Sequence, residues 1–116
     1  MTALPLAQHH CTALPPGTPP LNEEAAGLLL QQLNHGWTIK VGPILNKRFD
    51  LPDFARALAL TQTIGALAES ENHHPEICLA WGKVEVRLRT HSVGGLSLND
   101  FILAARIEEQ RGSGLG

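Results

Sequence analysis

Cysteine is scarce in this chain: Cys11 and Cys78 are the only two. A small secreted domain stapled by disulfides uses more, so both read as free thiols in a reducing compartment. No apolar run approaches the ~20 residues that a membrane span needs. The stretch from Leu4 to Leu6 is too short for the core of a signal peptide. These absences lead to the expectation of a cytoplasmic protein. Excess charge of one sign is also missing, since the formal net charge is −2. That argues against a general nucleic-acid or anionic-membrane binder and leaves only a local basic patch around Lys83, Arg87 and Arg89. There is no glycine-rich phosphate loop and no repeat of solenoid period.

What remains is the composition of one globular domain: 116 residues, 43% hydrophobic and 17% charged. The prolines at 5, 15, 16, 19 and 20 mark residues 1–20 as a flexible, proline-rich lead-in. In it, His9, His10 and Cys11 could hold a metal ion weakly, or do nothing. Asn22 then caps a helix over about residues 22–34, with Glu23 and Glu24 in its first turn. Trp37, Ile39 and Val41 alternate with Thr38 and Lys40 as a strand, and a weaker alternation through Leu45, Lys47 and Phe49 pairs with it across Gly42-Pro43. Asp50 can cap a second helix running to about Ser70, with Phe54, Ala57, Leu58, Thr61, Ile64 and Ala68 as its apolar stripe. A second hairpin turns at Gly82-Lys83, which suits a type II′ turn. Its return strand sends Val84, Val86 and Leu88 one way and Glu85, Arg87 and Arg89 the other. Ser97 to Asp100 resembles a capping box before a third helix lined by Leu98, Phe101, Ile102 and Ala105. The order α-β-β-α-β-β-α predicts an α+β fold: a four-stranded antiparallel sheet of two hairpins with three helices on one face. Residues 21–111 form the single domain and 112–116 a disordered tail.

Half of the six histidines lie close together, as His73, His74 and His91, in the stretch from Glu69 to Asp100. Imidazole exchanges protons near neutral pH, with an ordinary pKa of about 6.5. Adjacent residues in extended backbone point opposite ways, and the spacing fits no standard zinc set, so a metal-free acid–base site is the expectation. The plain alternative also stands on spacing alone: His73 and His74 close the second helix and His91 bonds a strand end. Glu69 can be an ordinary surface charge, Asp100 a first-turn helix carboxylate, and Trp37 and Trp81 core residues.

The same stretch resembles the signature of the pterin-4a-carbinolamine dehydratase family. Glu69, three spacers, His73-His74-Pro75, then Trp81, His91 and Asp100 meet its pattern, with five, nine and eight residues in the last three gaps. The resemblance extends through Gly36-Trp37, Phe49 and the run from Asp53 to Ala57, and covers about residues 20–110. It departs at Ile77 and Cys78, where some relatives carry an aromatic. The resemblance implies dehydration of 4a-hydroxytetrahydrobiopterin to the quinonoid dihydropterin, in recycling the cofactor of aromatic amino-acid hydroxylases. It implies no metal or organic cofactor. His73 and His91 would be the acid–base pair and His74 a binding residue. Glu69, Asp100, Pro75, Trp37 and Trp81 would support or line the substrate site. Members of the family also act as protein-binding dimers, as a transcription-factor dimerisation cofactor or as Rubisco assembly factors in carboxysome-bearing bacteria. A homodimer or homotetramer is expected on either reading.

Overall fold

A computed structural model describes residues 5–33 and 36–112 of the chain. The last four residues of the expected tail lie outside that range. Three α-helices and four strands follow one another as expected: α1 (Glu23–Leu33), β1 (Thr38–Lys40), β2 (Ile44–Asp50), α2 (Phe54–Glu71), β3 (Glu76–Ala80), β4 (Lys83–Leu88) and α3 (Leu98–Gly112). The sheet is wholly antiparallel in the order β1-β2-β4-β3. The two hairpins therefore join through β2 and β4, with Leu45 opposite Leu88 and Phe49 opposite Val84.

Alternation in β4 decides the layering. Val84, Val86 and Leu88 are fully buried, with Leu45 and Phe49 beside them from β2. Ile77 and Leu79 of β3 lie opposite Val86 and Val84, partly buried on the same core. α2 packs on β3 and β4, and α3 packs against α1 and α2. Phe101, Leu103, Ala104 and Ile107 complete the interior from α3. Burying a side chain of this size is worth about 1.5–3 kcal/mol relative to exposure. On the opposite face of the sheet, Arg87 pairs with both Glu76 and Glu85.

Helix starts follow their caps. Asn22 Oδ1 accepts the Ala25 N–H at 2.8 Å, as expected for α1. α2, however, begins after Asp53, not Asp50. Asp53 is extended and accepts the Arg56 N–H at 2.8 Å. Asp50 is unavailable as a cap because it ends β2, paired with Lys83. The inward stripe of α2 is also rotated from the expected one. Ala57, Leu60, Ile64, Leu67 and Ala68 face the core, while Phe54 and Leu58 are 44% and 39% exposed. Both lines satisfy a 3.6-residue period and share Ala57, Ile64 and Ala68; in the packing on β3 and β4, Leu60 and Leu67 take the inward places expected for Phe54 and Leu58. Leu98 is likewise exposed at the start of α3. The second hairpin pairs Ala80 with Lys83, so its loop is Trp81-Gly82 with glycine second, at φ 73°, rather than the expected Gly82-Lys83. Ahead of α1, residues expected to be loose make specific contacts: Leu6 is buried, and His10, Cys11 and Thr12 bond to α2 and α3.

Two outcomes follow from this architecture. Asp53→Ala removes the α2 cap and should cost about 1 kcal/mol in denaturant unfolding. The strands at the two edges, β1 and β3, leave backbone groups unpaired within one chain, and Phe54 and Leu58 add exposed apolar surface. At least a dimer is expected in solution, and light scattering at the 12.5 kDa monomer mass at micromolar concentration would contradict it.

Candidate functional site

The C-terminal end of α2 sets the site. Asn72 takes the left-handed conformation, φ 51°, and its N–H closes the helix onto the Ala68 and Glu69 carbonyls. Asparagine tolerates that conformation better than most residues. The chain then leaves the helix with His73 and His74 directed to different carboxylates. His73 Nε2 lies 2.6 Å from Asp100 Oδ1, and His74 Nε2 lies 2.6 Å from Glu69 Oε1. The first pair is nearly enclosed, with side chains 12% and 0% exposed; the second stands in solvent.

Asp100 is fixed from several sides. Besides His73, it accepts the Thr90 hydroxyl at 2.8 Å and the Ser97 N–H at 2.9 Å. The second of these is the carboxylate half of the capping box that starts α3; in the other half, Ser97 Oγ accepts the Asn99 N–H at 3.2 Å. Since the Thr90 proton goes to Asp100, the Ser97 hydroxyl donates to Thr90 across 2.7 Å. Thr90 in turn pairs with Gly95, its N–H donating to the Gly95 carbonyl at 2.8 Å. That bridge closes a short loop, a 3-10 turn over His91–Val93 ended by Gly94 at φ 69°. The loop presents His91 to solvent.

His91 and His74 share a cavity of about 210 Å³, with Ile44, Glu76, Arg87 and Arg89 as its other walls. Arg87 is held by two carboxylates, its Nη1 at Glu76 and its Nη2 at Glu85. The hydrogen bond to Glu76 foremost, and then the Glu85 charge, hold the guanidinium above its ordinary range. A hydrogen bond from Asn46, with Arg87 and nearby lysines, holds the Glu85 carboxyl below its ordinary range. Arg89 Nε is covered and has no hydrogen-bond partner.

Six of the eight expected site residues thus lie at this end of the fold. His73 and Asp100 form the enclosed pair, His74 and Glu69 the exposed one, His91 stands on the cavity wall, and Pro75 leads from His74 into β3. Of the eight, His74 and His91 line the cavity, while His73, Asp100, Glu69, Pro75 and the two tryptophans do not. Trp37 is buried, donates from Nε1 to Glu108 Oε2 at 2.8 Å and meets Phe49 edge-on. Trp81 sits at the hairpin tip, 72% exposed. Thr90 escaped the sequence reading, although a signal was present. It continues the inward alternation of Val84, Val86 and Leu88, and a hydroxyl at a buried position needs a polar partner. No group of three or more His, Cys, Asp or Glu side chains is gathered to hold a metal ion among the described residues.

Residues 19–110 match the family model described as pterin 4 alpha carbinolamine dehydratase. A protein of Alkaliphilus metalliredigens named for that family is 40% identical over 106 residues, spanning 91% of this chain and 96% of its own. One of Rickettsia canadensis, named likewise, is 38% identical over 90% of this chain and 96% of its own. Among solved structures, a transcriptional coactivator/pterin dehydratase from Brucella melitensis aligns with a TM-score of 0.73 and 30% identity, over 78% of this chain and 96% of that one. A pterin dehydratase-like protein identified as a RuBisCO assembly factor of the alpha-carboxysome aligns at 0.59 and 27% identity, over 69% and 94%.

The geometry around Asp100 makes a direct prediction. Asp100→Ala strands the Thr90 hydroxyl, the Ser97 N–H and the His73 ring at once, and should destabilise the fold by about 3–5 kcal/mol in denaturant unfolding. A loss below about 1 kcal/mol, the worth of one ordinary hydrogen bond, would mean that the buried network does not hold the site together.

Proposed function

Because this chain belongs to the pterin 4 alpha carbinolamine dehydratase family, we propose that it dehydrates a 4a-hydroxytetrahydropterin to the quinonoid dihydropterin. The observation that carries this reading is the enclosed His73–Asp100 pair, joined through Thr90 to the loop that holds His91 on the cavity wall. In the reaction the C4a–O bond breaks, the oxygen leaves as water, N5 gives up its proton and a C4a=N5 double bond forms. Hydroxide is a poor leaving group, so a positioned acid at the oxygen contributes about 10²–10⁴-fold. His91 is the donor to that oxygen. With Nε2–H committed to the Asp100 carboxylate, His73 keeps Nδ1 as a lone-pair acceptor, and that nitrogen takes the N5 proton. His74, steadied by Glu69, binds and orients the ring. Pro75 fixes the backbone exit beside it. Trp37 and Trp81 play structural and surface roles in this scheme. No cofactor takes part, and the product returns to the pterin pool used by aromatic amino-acid hydroxylases.

A second reading rests on the likeness to the RuBisCO assembly factor and on the exposed Phe54 and Leu58 of α2. On it, the chain is a protein-binding oligomer without turnover, serving Rubisco assembly or transcription-factor dimerisation.

The test is a dehydration assay with chemically generated 4a-carbinolamine. Purified protein should raise the rate well above the spontaneous one at neutral pH. His91→Ala should lower turnover about 10²-fold or more, with stability changed by no more than about 0.5 kcal/mol, because the residue is exposed. His74→Ala should raise KM more than it lowers kcat. A spontaneous rate left unchanged by the wild-type protein would remove the enzyme reading in favour of the binding one.

A further inference from the structure

The segment before α1 grips the two helix ends that deliver the enclosed pair. Glu71 is the last residue of α2, two before His73; Asn99 directly precedes Asp100 in the first turn of α3. The chain at residues 10–12 bonds to both. The Cys11 N–H donates to Glu71 Oε1 at 2.7 Å, while His10 Nδ1 lies 2.8 Å from Glu71 Oε2. One residue on, Thr12 and Asn99 bond reciprocally: the Thr12 N–H donates to Asn99 Oδ1 at 3.0 Å, and Asn99 Nδ2 donates to the Thr12 carbonyl at 2.8 Å. Farther along α3, Arg106 Nε donates to the His9 carbonyl at 2.7 Å, and Leu6 anchors the segment in the core.

These contacts are built rather than incidental. Asn99 and Glu71 are both buried. Burial works to raise the Glu71 carboxyl, but the Cys11 N–H, His10 and Arg106 outweigh it and hold it below the usual carboxylate range. Burial, with the Glu71 and Asp100 charges close by, pushes the Cys11 thiol up to about 12, so that side chain is a protonated packing group and not a nucleophile. Its Sγ–H points to the Asn99 carbonyl at 3.4 Å, a further tie to the turn that carries Asp100.

We propose that residues 5–12 form a positioning strap: by clamping Glu71 and Asn99 together they set the separation of His73 and Asp100. The inference rests on the dehydratase reading for its consequence in turnover and on the geometry alone for its structural part. His73 and Asp100 come from helix ends separated in sequence by the whole second hairpin. Asn99 and Asp100 are consecutive in one helical turn, so a displacement of the first moves the second. Glu71 is joined to His73 through a single left-handed residue, Asn72, and transmits motion in the same way. Neither Glu71 nor Asn99 lines the cavity.

Two sets of variants in the full-length chain test the strap. Asn99→Ala removes both bonds to Thr12. Glu71→Ala removes the acceptor for Cys11, whereas Glu71→Gln keeps an acceptor oxygen there and serves as the conservative rescue. Misplacing reacting groups by about 1 Å costs up to about 10²-fold, so either alanine variant should lower kcat about tenfold with KM little changed. Glu71→Gln should recover most of that loss. The ring ¹⁵N resonances of His73, which report its hydrogen bond to Asp100, should move in both alanine variants and return toward wild type in Glu71→Gln. The strap is a stabilising clasp only, and the proposal falls, if melting temperature drops while the His73 resonances and the rate per folded molecule match wild type. Should one alanine variant fail to fold, the other decides. Should wild-type protein show no dehydration at all, the function proposed above fails, and the His73 resonances still judge the strap.

Discussion

A carboxylate with no exposure to water must be met by donors on every side, and Asp100 is such a group. An unpaired charge at that position would cost several kcal/mol. The fold supplies a donor from the end of α2 (His73), one from just beyond β4 (Thr90) and one from the backbone that begins α3 (Ser97). Each donor is thereby located by the demand of the same two oxygens. The capping box that starts α3, the tautomer of His73 and the anchorage of the His91 loop are consequences of one electrostatic requirement. Stability and the geometry of the site are not separable here, because the atoms that satisfy the carboxylate are those that orient the histidine.

The alternation of β4 divides the remaining labour. Val84, Val86 and Leu88 go to the core, and the next inward position is Thr90, where the apolar series gives way to a hydroxyl facing Asp100. Arg87, Arg89 and His91 fall in the opposite series and build the cavity wall. A shift of register by one residue would exchange the two sets, placing two arginines and a histidine in the core. The packing that fixes the register of the sheet therefore also fixes which groups line the cavity. Opposite β4, Leu45 and Phe49 hold that register from β2.

Much of this was legible because it depends on local chemistry. Element order, the Asn22 cap, the Ser97–Asp100 box and the outward position of His91 follow from spacing and residue type within a few positions. Local chemistry does not decide where two local solutions compete and a distant contact chooses. Asp50 and Asp53 are both reasonable caps, and pairing with Lys83 on the far hairpin removes the first. Two apolar lines run along α2, and the sheet beneath selects one. The strap is the extreme case. Its proline content reads as looseness, while its hold depends on Glu71, Asn99 and Arg106, which lie 60 or more positions away. Trp37 illustrates the converse. The resemblance sets it near a planar ligand, but its indole N–H is engaged by Glu108, which also receives the Lys47 ammonium. A buried indole must find an acceptor, and here that acceptor is the half-buried Glu108 of α3.

The two functional readings call on different residues. Proton transfer needs His73, His74, His91 and the Asp100 network, all at the end of the fold where α2 and β4 stop and α3 begins. Binding another protein needs exposed apolar surface, and α2 offers Phe54 and Leu58 near its opposite end. Neither set constrains the other, since Phe54 and Leu58 make no contribution to the Asp100 network and the histidines make none to the outer stripe of α2. A chain of this design can keep one property while the other changes. The fold is found both in a protein described as a pterin dehydratase and in one identified as an assembly factor, so the choice between the readings falls to the side chains and not to the fold. On the first reading the chemistry lies with the histidines and the Asp100 network, and on the second the outer face of α2 meets the partner.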